Sequence, residues 1–192
     1  MLLLRNLVFY PVFYIGSIWH VVGSVLLVSL GSRRHFQKLV GDWARWHRWC
    51  ARTILGIKLR IEGEMPDGQV LYAIKHESFY EAIDMPGLFH LPSVFAKAEL
   101  LRIPLWGTAA SRFGVVQVER DQGAKALRAM LSAARAMAAE GRPLVIFPEG
   151  TRVPHGTHAP LQAGFAGLYK LLGFPVVAVA VDSGPLYHRW LK

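Results

Sequence analysis

Val70-Leu71-Tyr72-Ala73-Ile74-Lys75-His76-Glu77-Ser78-Phe79-Tyr80-Glu81 passes from an apolar run through a polar loop into a helical pattern. Val70–Ile74 has the length and the branched and aromatic content of a buried strand. The same texture recurs along the chain. Further strand candidates are Ile57–Ile61, Val94–Ala96, Val115–Val118, Leu144–Phe147 and Val176–Val181. Helix candidates are Tyr80–Phe89, Pro104–Arg112, Ala124–Ala139 and Ala163–Leu172. The Ala-, Leu-, Met- and Arg-rich segment after Gly123 is the strongest of these, since all four residues favour helix. Alternating strands and helices predict an α/β fold: a central, mostly parallel or mixed sheet flanked by helices. Polar loops that follow strands of such a sheet gather on one rim, where ligands usually sit.

His76 stands in such a loop, where a substrate can reach it. On a continuous helix five residues turn about 500°, which would leave His76 and Glu81 about 140° apart. The two meet only if His76 precedes the helix and the loop folds back, with Glu81 in the first turn and Ser78 as its N-cap. Glu81 then accepts from one imidazole nitrogen, fixing the tautomer, while the other nitrogen faces substrate. By itself this spacing also describes an ordinary structural loop histidine. A second polar turn, Pro148-Glu149-Gly150-Thr151-Arg152, leaves the buried-strand pattern Leu144–Phe147. Its proline fixes the backbone, its glycine permits unusual dihedrals near a ligand, and Arg152 offers a rigid charged fork suited to phosphate. Glu149 can position a hydroxyl or brace the loop. Together the two loops suggest base-driven chemistry on an anionic substrate.

Composition narrows the setting. The 192 residues carry a formal net charge of +9, and 53% of them are hydrophobic. Mean hydropathy is +0.28 and the isoelectric point about 10.1. A basic chain prefers polyanions, and so much apolar surface favours a membrane over nucleic acid. No Lys/Arg block and no nucleic-acid-binding motif argues otherwise. Cys50 is the single cysteine, which excludes an internal disulfide framework and a cysteine-cluster metal site. His20, His155 and His158 lack metal-ligand partners at suitable spacing and read as solvent or interface residues. Ser78 and Thr151 lie in no Gly-x-Ser-x-Gly elbow, so covalent catalysis is discounted.

Between Leu7 and Gly31 there is no formal charge, and such a length of apolar helix can span a bilayer core. Arg5 precedes it and Arg33, Arg34 and Lys38 follow, which places the remainder on the cytoplasmic side. The run is long for a signal-peptide core and lacks a small-x-small cleavage site. From Arg33 to Leu55 an amphipathic pattern sets Trp43, Trp46 and Trp49 among Arg45, Arg48 and Arg52. Indoles beside arginines suit the bilayer interface, and the bland alternative is a helix packed on the globular part. A true span and a helical hairpin lodged in one leaflet fit equally. The expected organisation is thus a membrane-anchoring segment over 1–55 and an α/β domain over 56–192.

Four blocks in order carry a resemblance. They are His76 with Glu81; Phe113-Gly114-Val115-Val116-Gln117-Val118-Glu119-Arg120; Phe147-Pro148-Glu149-Gly150-Thr151-Arg152; and Phe174-Pro175-Val176-Val177-Ala178-Val179. Lys97-Ala98-Glu99-Leu100, with Ile103-Pro104 and Gly107, adds a fifth segment. In this order they resemble the glycerolipid acyltransferase family, over roughly Ile57 to the C-terminus. The family's usual Asn before the histidine is Lys75 here, its Asp is Glu81, a later lysine is Gln162, and a proline of the fourth block is Ala178. Asp84, one turn beyond Glu81, is a fallback partner for His76. The chain stops at Lys192, soon after the fourth block, where family members generally continue, so a C-terminally short domain is expected.

The resemblance implies transfer of a fatty acyl group from acyl-CoA or acyl carrier protein to the free hydroxyl of 1-acyl-sn-glycerol 3-phosphate. The product would be phosphatidic acid, a step of phospholipid biosynthesis at the cytoplasmic face of the inner membrane. It makes His76 the base and Glu81 its orienting carboxylate. Arg120 and Arg152, with Lys97, would hold the acceptor phosphate, beside Glu149, Gly150 and Thr151. No metal or redox cofactor is implied beyond the acyl donor as co-substrate. Acylation of another lysolipid, such as a lyso-ornithine lipid, or of glycerol 3-phosphate stays open. So does a non-catalytic membrane-surface binding protein, in which His76 and Glu81 would be dispensable.

Overall fold

The computed structural model describes residues 2–66, 68–119 and 123–187. Five short strands form its centre: β1 (Leu71–Ile74), β2 (Ser93–Lys97), β3 (Val116–Val118), β4 (Leu144–Ile146) and β5 (Val176–Val179). They lie in the order β3-β2-β4-β1-β5, and every neighbouring pair is parallel. A parallel sheet needs crossovers on its faces, and its inner strands β1 and β4 are apolar throughout, while β2 carries Ser93 and Lys97. All residues of β1 and β4 are accordingly buried.

Strand alternation sorts the inner residues between two cores. Leu71, Ala73, Leu144 and Ile146 pack against Met130, Leu131 and Ala134 of α6 (Gly123–Ala139) and Leu168 of α7 (Ala163–Leu172). On the other face Tyr72, Ile74 and Val145 pack against Met85 of α3 (Tyr80–Leu88). Two helices, α4 (Ala98–Leu101) and α5 (Trp106–Phe113), connect β2 to β3. α4 was not among the expected helices; a four-residue turn is too short to show helical periodicity.

The N-terminal third is helical. α1 runs from Leu2 to Ser29, unbroken through Pro11, and is long and apolar enough to cross a membrane. α2 (Arg33–Cys50) continues as a wider π turn over Ala51–Leu55, which ends at Gly56 in the left-handed conformation. α2 packs on both α1 and α3. Phe9 and Phe13 of α1, Cys50, Ala51, Tyr80 of α3 and Tyr187 form one buried cluster there. Hence the 1–55 segment shares a core with the α/β part. α2 turns Phe36, Ala44, His47 and Cys50 inward, so the alternative of a helix packed on the globular part describes its apolar face. Its exposed residues include Arg34, Lys38, Arg45 and Trp49.

Two expectations fail here. Ile57–Ile61 forms no strand: Leu59 and Ile61 are exposed, and no described strand offers this segment a hydrogen-bonding neighbour. Asp84 is not a partner of His76. Its carboxylate takes two hydrogen bonds of 2.9 Å from Arg48 of α2, because one further helical turn carries it away from the loop and onto the α2 face. Burial pushes the Asp84 carboxyl up, and the Arg48 guanidinium opposes that.

Candidate active site

All five strands are parallel, so their C-terminal ends share one rim. β1 delivers His76 there, β2 ends on Lys97, β4 leads into the Pro148–Arg152 turn, and β5 leads to Ser183. β1 and β4 are neighbours, which sets the two opening polar loops side by side. Several contacts join them. The Val153 amide donates to the His76 carbonyl at 2.7 Å. The His76 ring stacks on Phe147 with centroids 4.3 Å apart. The Arg152 guanidinium lies over the exposed Phe79 ring, 3.9 Å from its centroid. Arg152 thus stands at the mouth of the histidine loop, where its position can serve an anionic group.

The loop does fold back. His76 Nδ1 lies 2.9 Å from Glu81 Oε1, although five residues separate them in sequence. Oε1 also accepts from the amides of Glu77 (2.7 Å) and Ser78 (2.6 Å). These amides precede α3, and Glu81 itself lies in the first turn of that helix, where a carboxylate is favoured by the helix dipole. The Ser78 hydroxyl accepts from the Tyr80 amide at 3.0 Å, while the capping position itself falls on Phe79, one residue later than expected. Oε2 accepts from the hydroxyls of Ser78 and Ser183, each at 2.6 Å. Glu81 is buried, which by itself would push its carboxyl up; the donors from His76, Ser183 and Ser78 outweigh this and hold it at about 2. The result is a fixed anion behind a histidine whose second nitrogen is uncommitted to the carboxylate.

A second buried carboxylate lies alongside. Glu77, fully buried at its side chain, receives Lys75 Nζ at 2.8 Å, His155 Nδ1 at 3.0 Å and the Gly184 amide at 3.0 Å. Burial opposes ionisation, but Lys75, Gly184 and His155 together hold the carboxyl below its ordinary value. The sequence pattern marks neither Glu77 nor Ser183, and His155, expected as a solvent or interface residue, is half-exposed and pairs with Glu77. Glu77 adjoins the histidine and has no periodic signature. His155 meets Glu77, and Ser183 meets Glu81, only through the tertiary fold, although their positions just beyond β4 and β5 put them on the rim.

The remaining expected residues are placed as follows. Gly150 adopts a left-handed φ of 65° and its amide donates to the Phe147 carbonyl, so a Cβ there would be strained. Thr151 is exposed. Glu149 is buried, and its Oε2 has no partner among the described residues. Gln162 braces this turn, its backbone amide donating to the Pro148 carbonyl at 2.9 Å and its side chain to the Glu149 carbonyl at 3.3 Å. Lys97 closes β2 half-buried on the same rim. Arg120 lies outside the described residues. Among those residues, no group of three or more His, Cys, Asp or Glu side chains is arranged to hold a metal ion.

Comparison with known proteins adds the family. A family model described as Acyltransferase matches residues 56–182. A 1-acyl-sn-glycerol-3-phosphate acyltransferase of Pseudomonas aeruginosa is 27% identical over 98% of this chain and 76% of its own length. Enzymes of the same name from Limnanthes douglasii and Chlamydomonas reinhardtii are 30% and 32% identical over 71% and 84% of the chain. The chain spans about half the length of these two (49% and 48%). In three dimensions it is similar to the crystal structure of the 1-acyl-sn-glycerophosphate (LPA) acyltransferase PlsC from Thermotoga maritima. The TM-score is 0.68 at 22% identity, over 92% of this chain and 73% of that one, a likeness of fold.

Proposed function

The chain belongs to the acyltransferase family, and on that premise we propose that it acylates the free hydroxyl of 1-acyl-sn-glycerol 3-phosphate. The acyl donor is a thioester, acyl-CoA or acyl carrier protein, and the product is phosphatidic acid. The observation that carries the reading is the His76–Glu81 pair, backed by amides and hydroxyls and set against the Phe147–Arg152 turn. The names of the relatives support the choice of acceptor.

In the proposed reaction, His76 Nε2 takes the proton of the acceptor hydroxyl as its oxygen attacks the thioester carbonyl. Glu81, kept ionised, holds the ring by Nδ1–H and stabilises the imidazolium that forms. The tetrahedral intermediate collapses with cleavage of the C–S bond, and the imidazolium returns the proton to the departing thiolate. Arg152, with Arg120 and Lys97, binds the acceptor phosphate, since a guanidinium matches phosphate geometry with two parallel donors. Glu149 Oε2, buried without a protein partner, is suited to accept from an acceptor hydroxyl. Burial of an unpaired acceptor is costly, which gives such a hydroxyl a reason to dock there. α1 sits in the membrane and brings the rim to the cytoplasmic surface, where the lysolipid lies.

The test is acyl transfer by detergent-purified protein, with 1-acyl-sn-glycerol 3-phosphate, glycerol 3-phosphate and a lyso-ornithine lipid offered against both donor types. His76→Ala should lower turnover about 10²- to 10⁴-fold, the usual worth of a general base. Undiminished turnover in that variant would sink the base assignment. Preference for either other acceptor would replace the acceptor named here.

A further inference from the structure

The loop after β5 reaches back to both carboxylates of the histidine loop. Ser183 Oγ donates to Glu81 Oε2 at 2.6 Å and lies 2.9 Å from Ser78 Oγ. One residue on, the Gly184 amide donates to Glu77 Oε2 at 3.0 Å. These contacts bridge 102 and 107 positions of sequence. At Gly184 the backbone approaches closely: a Cβ there would stand 2.9 Å from Glu77 Oε2 and 3.1 Å from the His155 Cβ. The chain is therefore seated on the histidine loop by a hydroxyl and an amide in tandem.

A glutamate needs such a seat. It has one more rotatable bond than aspartate, and so more side-chain freedom to lose when held in one pose. The donors on Oε1 fix that oxygen but leave the carboxylate plane able to pivot about it. Two hydroxyls on Oε2 stop the pivot, and Ser183 supplies the one that does not belong to the histidine loop. Asp84 offers no substitute, because Arg48 occupies it. A base held within a narrow range of geometry is what rapid proton transfer requires.

We propose that Ser183 is a positioning residue for acyl transfer, acting on His76 through Glu81 Oε2. The proposal rests on His76 serving as the base. Its test compares Ser183→Val with Ser183→Thr, which have the same shape and differ in the hydroxyl, and includes His76→Ala. Initial rates are measured with 1-acyl-sn-glycerol 3-phosphate and acyl-CoA, together with thermal midpoints. The far-downfield imidazole N–H proton resonance, which reports the Nδ1–H···carboxylate bond, is followed by NMR. Ser183→Val should lower kcat about 3- to 30-fold at unchanged acceptor KM, a loss in keeping with one charge-assisted hydrogen bond partly covered by Ser78. It should also broaden or shift the downfield resonance, while Ser183→Thr recovers most of the rate and the signal.

Equal kcat in the two variants, whether both high or both low, overturns the proposal. A rate loss that tracks the thermal midpoint, with the resonance unmoved, overturns it too, since that is the mark of a structural role. Should His76→Ala remain fully active, the base assignment itself fails, and with it everything built on it. An inactive His76→Ala beside an unimpaired Ser183→Val removes only the role of Ser183.

Discussion

At the scale of the residue, Glu81 concentrates the chemistry of the site. Its carboxyl is held at about 2 against an ordinary 4.5: burial alone would raise it, and the donors of His76, Ser183 and Ser78 prevail. A carboxyl depressed by folding binds its proton more tightly in the unfolded chain. Its contribution to stability is therefore complete above about pH 4.5 and drains away as pH falls toward 2. The displacement corresponds to about 3 kcal/mol. Glu81→Gln should consequently show a flatter loss of stability than the parent between pH 4.5 and 2.5, followed by urea unfolding at each pH. At neutral pH the same substitution should lower turnover by about 10²-fold or more, because an amide can present either a donor or an acceptor to the ring and no longer selects the tautomer. The pairing of the histidine with its carboxylate was legible as an option, from the helix that begins between them, while their spacing alone also described a structural loop histidine. Ser183 was not, since nothing near it in sequence announces a contact 102 residues away.

At the scale of the element, the docking of α2 on α3 stands on Arg48 and Asp84. The Asp84 side chain is 1% exposed and that of Arg48 30%, so removing the guanidinium leaves a buried carboxylate without its counter-charge. Loss of one partner from a buried pair is expected to cost about 3 kcal/mol. Arg48→Met should lower the urea midpoint accordingly, and Arg48→Met with Asp84→Leu should regain much of the loss, since the double change removes both desolvated charges. Activity should follow stability in these variants, because neither side chain touches the histidine loop. α2 shows what pattern reading leaves open. Its amphipathic stripe was plain, yet whether the stripe faced lipid or protein depended on α3, whose own outer face supplies the complementary carboxylate. The segment Ile57–Ile61 shows the reverse case. Its branched residues suit a strand, but β structure requires a partner, and the described chain provides none beside it.

At the scale of the whole molecule, α1 is half in and half out of the core. Phe9 and Phe13 are buried in a cluster with Tyr80, while Leu7, Ile15, Ile18 and Trp19 lie on the outside, Ile15 and Trp19 being 70% and 74% exposed. A helix so apolar on its free side is suited to acyl chains on that side. Ile15→Lys combined with Trp19→Lys should transfer most of the protein from carbonate-washed membranes to the soluble fraction, since each lysine costs about 2.5–3.5 kcal/mol at membrane depth. Retention of Tyr80 packing, read by near-UV circular dichroism, would separate lost anchoring from lost folding.

Periodicity, turn residues and the order of the four blocks are properties of neighbouring positions. They sufficed for the α/β class, a sheet mostly parallel or mixed, the apolar helix and the turn ending in Arg152, and they allowed the His76–Glu81 pair. Which oxygens Glu81 offers to which donors, what Asp84 pairs with, and that Glu77, His155, Ser183 and Gly184 join the site were decided only in three dimensions. Parallel pairing carries the ends of five distant strands to one rim, and hydrogen bonds act over 3 Å of space regardless of how much chain lies between.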